Sequence, residues 1–276
     1  MEMENNGNIT IYVISHNIES IKMAKNDDLY TPLFVGAEKK DTLGFLADNT
    51  GDNISNKNKD YAELTGFYWM CKNSKSEIIG LNHYRRYLSK SKFGKLLNYE
   101  DITYFLKEHD LIIPKIYKNL DSLSNYENFT VLNINDPFVF AYDTTREIIR
   151  EKTPEYLDAF DYVMKSNLTT HSNIFIGHKE LMNRYADWIF PLLFELENRI
   201  NLNDYPPRLM GYLTEIYFQV WIKHLDLKVK EVEPKFIGFN LNLSKFLAKN
   251  PLIRKFYEVF IIPYKKKRYI TNYKKY

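Results

Sequence analysis

Residues 78–87 read Ile-Ile-Gly-Leu-Asn-His-Tyr-Arg-Arg-Tyr, and the step from apolar to polar within them decides how the chain is read. Ile78–Leu81 is short, apolar and β-branched at its start, which predicts a buried strand. It runs without a break into Asn82, His83, Tyr84, Arg85, Arg86 and Tyr87. A strand there delivers a cationic cluster at its C-terminal end, where open α/β sheets bind ligands. Arginine presents a planar fork of donors that matches phosphate oxygens and keeps its charge. Arg85, Arg86 and His83 together would neutralise a diphosphate, and Tyr84 or Tyr87 would stack on a base or sugar. Solvated arginines at a surface strand end would account for the same residues.

Outward from this segment, strand and helix patterns alternate. Residues 8–15, NITIYVIS, read as a buried first strand ending at Ser15-His16-Asn17, with a second short candidate at 33–36. Residues 48–58 are a loop by composition, and 61–73 carry Tyr61, Leu64, Tyr68 and Cys71 at helical spacing. On the other side, helices are expected over 99–109, 144–165, 179–199 and 207–224, and strands over 110–114, 173–177 and 227–232. Residues 117–135, rich in Asn and Ser, read as a mobile loop. The alternation predicts an α/β sandwich with a mostly parallel central sheet.

Composition narrows the class. The 276 residues suffice for one large domain or two small ones, and 45% hydrophobic with 26% charged residues is ordinary for a globular chain. The 16% aromatic content suits stacking on sugars or bases, although codon bias in an AT-rich genome would also produce it. Cys71 is the single cysteine, which excludes an intrachain disulfide framework and a multi-cysteine zinc site and fits a reducing compartment. The acidic, polar start MEMENNGNIT lacks an apolar signal region, and no run approaches the roughly 18 apolar residues of a membrane span. A cytoplasmic location is therefore expected. Charge is uneven: residues 241–276 hold ten Lys or Arg against Glu258 alone, so +9 sits there and −6 remains for the rest of a +3 chain. The expected division is a domain over 1–240 and a basic amphipathic tail over 241–276.

Other polar positions stand out singly. Asp52 and Asn53 follow Gly51 and suit ribose or sugar hydroxyls; an Asx turn and helix cap would explain them equally. His171 and Asn173 flank a strand start. Glu215 lies in an otherwise apolar helix, LMGYLTEIYFQVWI, with Arg208 two turns earlier on a similar face. A carboxylate there is costly unless paired or functional, so either Arg208 and Glu215 pair or one of them faces a site. Glu195 and Arg199 read as a surface i,i+4 pair. There is no P-loop, GxGxxG, HExxH or GxSxG, and no Asp-x-Asp after a strand. Asp158 and Asp161 fall within a helical stretch, a poor metal site.

Taken in order, GDNISNKN and YAELTGFYWMCKN within 51–73, IIGLNHYRRY at 78–87, HSNIFIGHKEL and RYADWIFPLLFELENRI within 171–200, and RLMGYLTEIYFQVWI at 208–222 resemble the DUF4422 family. The resemblance runs from about Ile9 to Glu233. That family is associated with bacterial capsular polysaccharide, exopolysaccharide and O-antigen synthesis, and the resemblance implies a GT-A-like nucleotide-sugar fold and a glycosyltransferase, a hexosyltransferase of inverting type. Some related domains are linked to galactofuranose transfer from UDP-galactofuranose. In the GT-A order of parts, His83-Tyr84-Arg85-Arg86 stand where a metal-holding acidic pair would be. A metal-independent donor site is implied, with no cofactor and with Mn or Mg left open. His83, Arg85 and Arg86 would meet the diphosphate, and Asp52, Asn53 and Asn58 the nucleoside or sugar, with His16, Tyr84, Asn173 and Arg208 as further substrate-binding residues. Glu215 is the expected base and His171 the second choice.

Two departures from the family pattern are Asn17, where Lys is frequent, and the segment 115–135, usually basic and rich in Tyr. The tail mixes Phe, Leu, Ile and Tyr with Lys and Arg, as membrane-surface segments do, which suits a lipid-linked glycan acceptor at the inner face of the plasma membrane. The expected partners are thus a UDP-sugar, that acceptor and an anionic membrane surface, and not nucleic acid. A non-catalytic glycan- or membrane-binding scaffold and a phosphotransferase are the competing readings.

Overall fold

The computed structural model describes residues 8–91, 94–118, 124–127, 137–170, 172–237 and Lys255. His171, most of the expected loop at 117–135 and, apart from Lys255, the basic tail lie outside them.

The strands are β1 (Ile9–Ser15), β2 (Tyr30–Phe34), β3 (Ile78–His83), β4 (Arg86–Ser89), β5 (Leu111–Pro114), β6 (Tyr117–Lys118), β7 (Leu168–Thr169), β8 (Phe175–His178) and β9 (Val229–Phe236). The helices are α1 (Ile18–Met23), α2 (Asn58–Tyr61), α3 (Leu64–Asn73), α4 (Tyr99–Leu106), α5 (Pro137–Lys152), α6 (Leu157–Lys165), α7 (Lys179–Arg199) and α8 (Leu209–His224). Local chemistry sets several ends. Asn17 caps α1 and Asn98 caps α4, each in a reciprocal capping box with Ser20 or Asp101. The helix expected over 144–165 is two helices, because Pro154 lacks the N–H that would continue the ladder and begins a 3₁₀ turn instead. The helix expected over 61–73 breaks at Ala62.

Seven strands form one mixed sheet, and the expectation of a mostly parallel sheet is corrected. Three pairings are parallel: β1 with β2, β1 with β3, and β5 with β9. Four are antiparallel: β3 with β4 and with β8, β4 with β9, and β5 with β8. Two residues, Tyr84 and Arg85, join β3 to β4, and so short a link allows only an antiparallel return. β8 then comes back against both β3 and β5. β6 and β7 form a separate two-stranded ribbon.

Both faces of β1, β3, β5 and β8 are largely buried, which is why these strands read as apolar runs rather than alternating ones, whereas β9 is mostly half-buried and polar. Tyr12 and Ile14 of β1 and Ile79 and Leu81 of β3 pack in the large core with α3, α5, α6, α7 and α8. Ile9, Ile11 and Val13 face the other way, toward α4 and Tyr30, Tyr87 and Ile112. α8 is apolar nearly all round because it lies within the larger core. Among the described residues no helix is long and apolar enough to cross a membrane.

Candidate active site

A cavity of about 460 Å³ opens at the C-terminal ends of the parallel pair β1 and β3. From β1 come Ile14, one residue before the strand ends at Ser15, and His16 just beyond it; Asn17 is taken up by the α1 cap. β3 ends at His83. The Tyr84 N–H donates to the Ile14 carbonyl (3.2 Å), carrying the β1–β3 ladder one step further before the chain turns into Arg85 and Arg86. Tyr84 stands between His16, its ring centre 5.6 Å from the imidazole, and Arg85, whose guanidinium lies 5.0 Å from the phenol ring. The Ile237 N–H donates to the Arg85 carbonyl and fixes the turn from the far side.

The opposite wall comes from α2 and the start of α3 and α8. Asn58 approaches Gly36 so closely that a Cβ there would meet its carboxamide at 2.4 Å, and Gly36 takes the left-handed conformation (φ 63°). Asp48, fully buried, accepts from the Gly36 and Ala37 N–H groups and the Ser55 and Thr65 hydroxyls, tying the loop after β2 to α3. Ala62 (φ 49°) breaks the helix and swings Glu63 into the cavity wall. Arg208, also left-handed (φ 72°), donates its N–H to the Lys59 carbonyl and approaches Glu63 Oε2 at 3.5 Å. Asn173 donates through Nδ2 to Glu63 Oε1 (2.7 Å) and to the Gly211 carbonyl (2.9 Å).

These surroundings split the two carboxyls. Enclosure opposes ionisation of Glu63, but His83, the Asn173 hydrogen bond and Arg208 together hold it below the usual carboxylate range. Enclosure pushes Glu215 up to about 8, and the neighbouring Glu63 charge adds to that against the pull of Arg86 and Arg208. Enclosure, then Arg86, Arg208 and His16, push His83 down to about 4 against the opposing effect of Glu63. His16 is likewise lowered, by burial first and then by Arg208, Lys40 and Arg85. At neutral pH the cavity thus holds ionised Glu63, protonated Glu215 and neutral imidazoles among Lys59, Arg85, Arg86 and Arg208. Titratable groups driven apart in this way mark acid–base assignments. The surplus of positive charge suits a polyanion. Glu63 is engaged by Asn173 and Arg208, and among the described residues no group of three or more His, Cys, Asp or Glu is placed to hold a metal ion.

Of the residues singled out in the sequence, His16, Asn58, His83, Tyr84, Arg85, Arg86, Arg208 and Glu215 line this cavity. Asn173 stands behind Glu63 instead. Asp52 and Asn53 are not brought to it. Asp52 accepts from the Tyr68 hydroxyl, and Asn53 makes an Asx turn with the Ser55 N–H and the Gly51 carbonyl. Asn58, expected to hold a nucleoside or sugar, donates its amide to the Ala62 carbonyl and the Thr65 hydroxyl. Arg208 does not pair with Glu215; the left-handed turn before α8 directs it to Glu63. Glu195 and Arg199 do pair, at 2.7 Å. Glu63 and Lys59 were not foreseen. An unpaired acid at a helix start reads as a dipole partner, and only the break at Ala62 makes Glu63 part of a wall.

No curated protein matches the chain. The apo structure of WbbM, a bifunctional glycosyltransferase, superposes with a TM-score of 0.73 at 27% identity, covering 84% of this chain and 46% of that one. The chain thus spans about half the length of WbbM. A family model described as a domain of unknown function, DUF4422, matches residues 10–226, most of the length, and the chain belongs to the DUF4422 family.

Proposed function

We propose that this chain is a glycosyltransferase that uses a nucleoside-diphosphate sugar, with the donor diphosphate against Arg85, Arg86 and Arg208. The observation that carries this is the cation-rich cavity at the ends of β1 and β3, in a chain that superposes on a bifunctional glycosyltransferase. In the reaction, the acceptor hydroxyl oxygen forms a bond to the anomeric carbon while the bond from that carbon to the β-phosphate oxygen breaks. The acceptor proton passes to the Glu215 carboxylate, and the charge left on the nucleoside diphosphate is met by the guanidinium groups. A base with a value of about 8 is strong for a carboxylate, and its ionised form grows as pH rises toward that value. His83 Nε2, without a hydrogen-bond partner among the described residues, is free to bond the donor. The arginines supply the charge neutralisation directly, so the reading is metal-independent.

Within this reading the donor is a UDP-hexose, with UDP-galactofuranose the family-based choice, and transfer inverts the anomeric centre because one cavity base suits a single displacement. The acceptor is a lipid-linked glycan of capsule, exopolysaccharide or O-antigen synthesis, met at the inner face of the plasma membrane. The support for that placement is the +9 segment over 241–276, whose basic and apolar residues suit an anionic lipid surface.

The test is calorimetric titration of UDP with Mn²⁺ or with EDTA, on the wild type and Arg85→Ala. Binding that persists in EDTA and fails in the variant is expected. Binding only with Mn²⁺ sinks the metal-independent assignment, and no binding in either condition shifts the reading to a non-catalytic scaffold.

A further inference from the structure

Glu63 poses a problem that the reaction above leaves open. An anion site gains nothing from a carboxylate in its wall, since like charges repel across a low-dielectric cavity. Glu63 is nonetheless only 4% exposed and ionised, a costly state unless its partners are well placed.

Its partners are built in. Asn173, itself 4% exposed, is fixed by two donated hydrogen bonds, one to Glu63 Oε1 and one to the Gly211 carbonyl at the start of α8. The first turn of α8 packs against this group: a Cβ on Gly211 would be in ordinary contact, 3.4 Å from the Ala62 Cβ and 3.5 and 3.6 Å from the two Glu63 oxygens. The second oxygen faces Arg208, whose side chain is 55% exposed and whose backbone is held left-handed by the bond to Lys59. Two cavity-lining residues, Ala62 and Arg208, thus occupy conformations that non-glycine residues avoid, one beside Glu63 and the other carrying its cationic partner.

We propose that Glu63 is a positioning residue of this site: clamped by Asn173, it holds the Arg208 guanidinium at the cavity wall and sets a fixed negative charge beside Glu215. This rests on the nucleoside-diphosphate reading. An arginine as exposed as Arg208 has many rotamers, and an anchored carboxylate removes most of them before the ligand arrives. The second effect is on proton affinity. Glu215 is faced by Glu63 from the start of α3, Arg86 from β4, Arg208 from the turn before α8 and Tyr142 from α5. Glu63 is the anion among these at neutral pH, so it makes Glu215 a stronger base, while Arg86 and Arg208 restrain it.

The experiment is UDP titration on the full chain, from about pH 6 to about pH 9.5, for wild type, Glu63→Gln, Arg208→Ala, the double variant and Asn173→Ala, with circular dichroism to show that each is folded. Ionisation of Glu215 should repel the diphosphate, so wild-type affinity falls above about pH 8. Glu63→Gln and Arg208→Ala should each weaken UDP binding about tenfold, and the double variant little further, because one acts through the other. In Glu63→Gln the pH at which affinity falls should move down by about one unit. Asn173→Ala should weaken binding while leaving that pH in place, since the charge remains. Simple electrostatics predicts the reverse for Glu63→Gln, tighter binding through loss of an anion. Tighter binding, additive effects with Arg208→Ala, or an unmoved pH would each overturn the proposal. UDP binding lost in Arg85→Ala but unchanged in Glu63→Gln would overturn this inference alone. No UDP binding by the wild type would overturn the functional reading and this inference with it.

Discussion

Replacing Glu215 by Gln should make the protein more stable in alkali while abolishing transfer. In the folded chain Glu215 titrates near 8, against an ordinary value of 4.5. Its folded value is raised, so it favours the folded state fully below about pH 4.5, and that contribution is lost as pH rises to about 8. At about 1.4 kcal/mol per pH unit, the loss across this window is on the order of 5 kcal/mol. Water entering the cavity and movement of Arg86 and Arg208 reduce it to about 2–4 kcal/mol. Gln keeps the shape and cannot ionise, so the variant has no such loss. Urea unfolding of both proteins from about pH 5 to about pH 9 is the assay, and the quantity to plot is the difference in unfolding free energy, in which groups common to both cancel. The difference should be under about 1 kcal/mol at the acid end and grow in favour of Glu215→Gln as pH rises, levelling by about pH 8. A flat difference, or a variant less stable than wild type at about pH 9, would refute the claim that Glu215 keeps its proton in the fold.

Other perturbations read other parts of the argument. Arg86→Ala should weaken UDP binding by about 10- to 100-fold, as loss of a charge-assisted hydrogen bond does, and should move Glu215 above about 8 because Arg86 restrains it; calorimetry and the pH dependence of affinity report both. Gly66→Ala would place a Cβ 2.6 Å from Ile14 Cδ1 and 2.8 Å from Val35 Cγ1, so a cost of about 1–3 kcal/mol and weaker ligand binding are expected, since Ile14 and Val35 also line the cavity; thermal melting and UDP titration would show it. Asp48→Asn puts an amide donor among four donors and should cost about 3 kcal/mol in urea unfolding. Ala62→Gly relieves a backbone strain of about 1–3 kcal/mol against about 0.5–1 kcal/mol of added unfolded-state entropy, so a melting temperature unchanged or higher is expected, and a fall of several degrees would show that the Ala62 methyl matters more than its strain.

The parts that local pattern controls were legible, and those that depend on partners distant in sequence were not. The apolar run of β1, the strand opening Ile78–Leu81 and the periodic stretch of α7 each carry their own signal, and α7 spans the expected residues. Sheet direction does not, because β8 looks the same to its own residues whether its neighbours run with it or against it. The place of Arg85 and Arg86 at a strand end, where they line the cavity, was legible because a strand end is a local feature. Asp52 and Asn53 were not distinguishable from a turn, and a turn is what Asn53 forms.

The same distinction explains why Glu215 could be suspected and Glu63 could not. A carboxylate inside an apolar helix is anomalous in its own sequence, and the anomaly points to a cost that the fold must meet. Glu63 looks ordinary at a helix start. Its place in the wall depends on Ala62 breaking the helix, on Asn173 coming from a segment over one hundred residues away, and on Arg208 turning left-handed so that it faces Glu63 rather than Glu215. With Arg208 committed to Glu63, Glu215 has no ion-pair partner among the described residues, so its proton affinity stays high, and its ionised form, which grows as pH rises toward about 8, is the one that takes the proton of a substrate hydroxyl. The pairing with Glu63 is therefore what lets the expected base act as one: had Arg208 paired with Glu215, one of the two alternatives that the spacing along α8 left open, the carboxyl would sit low and serve poorly as a base.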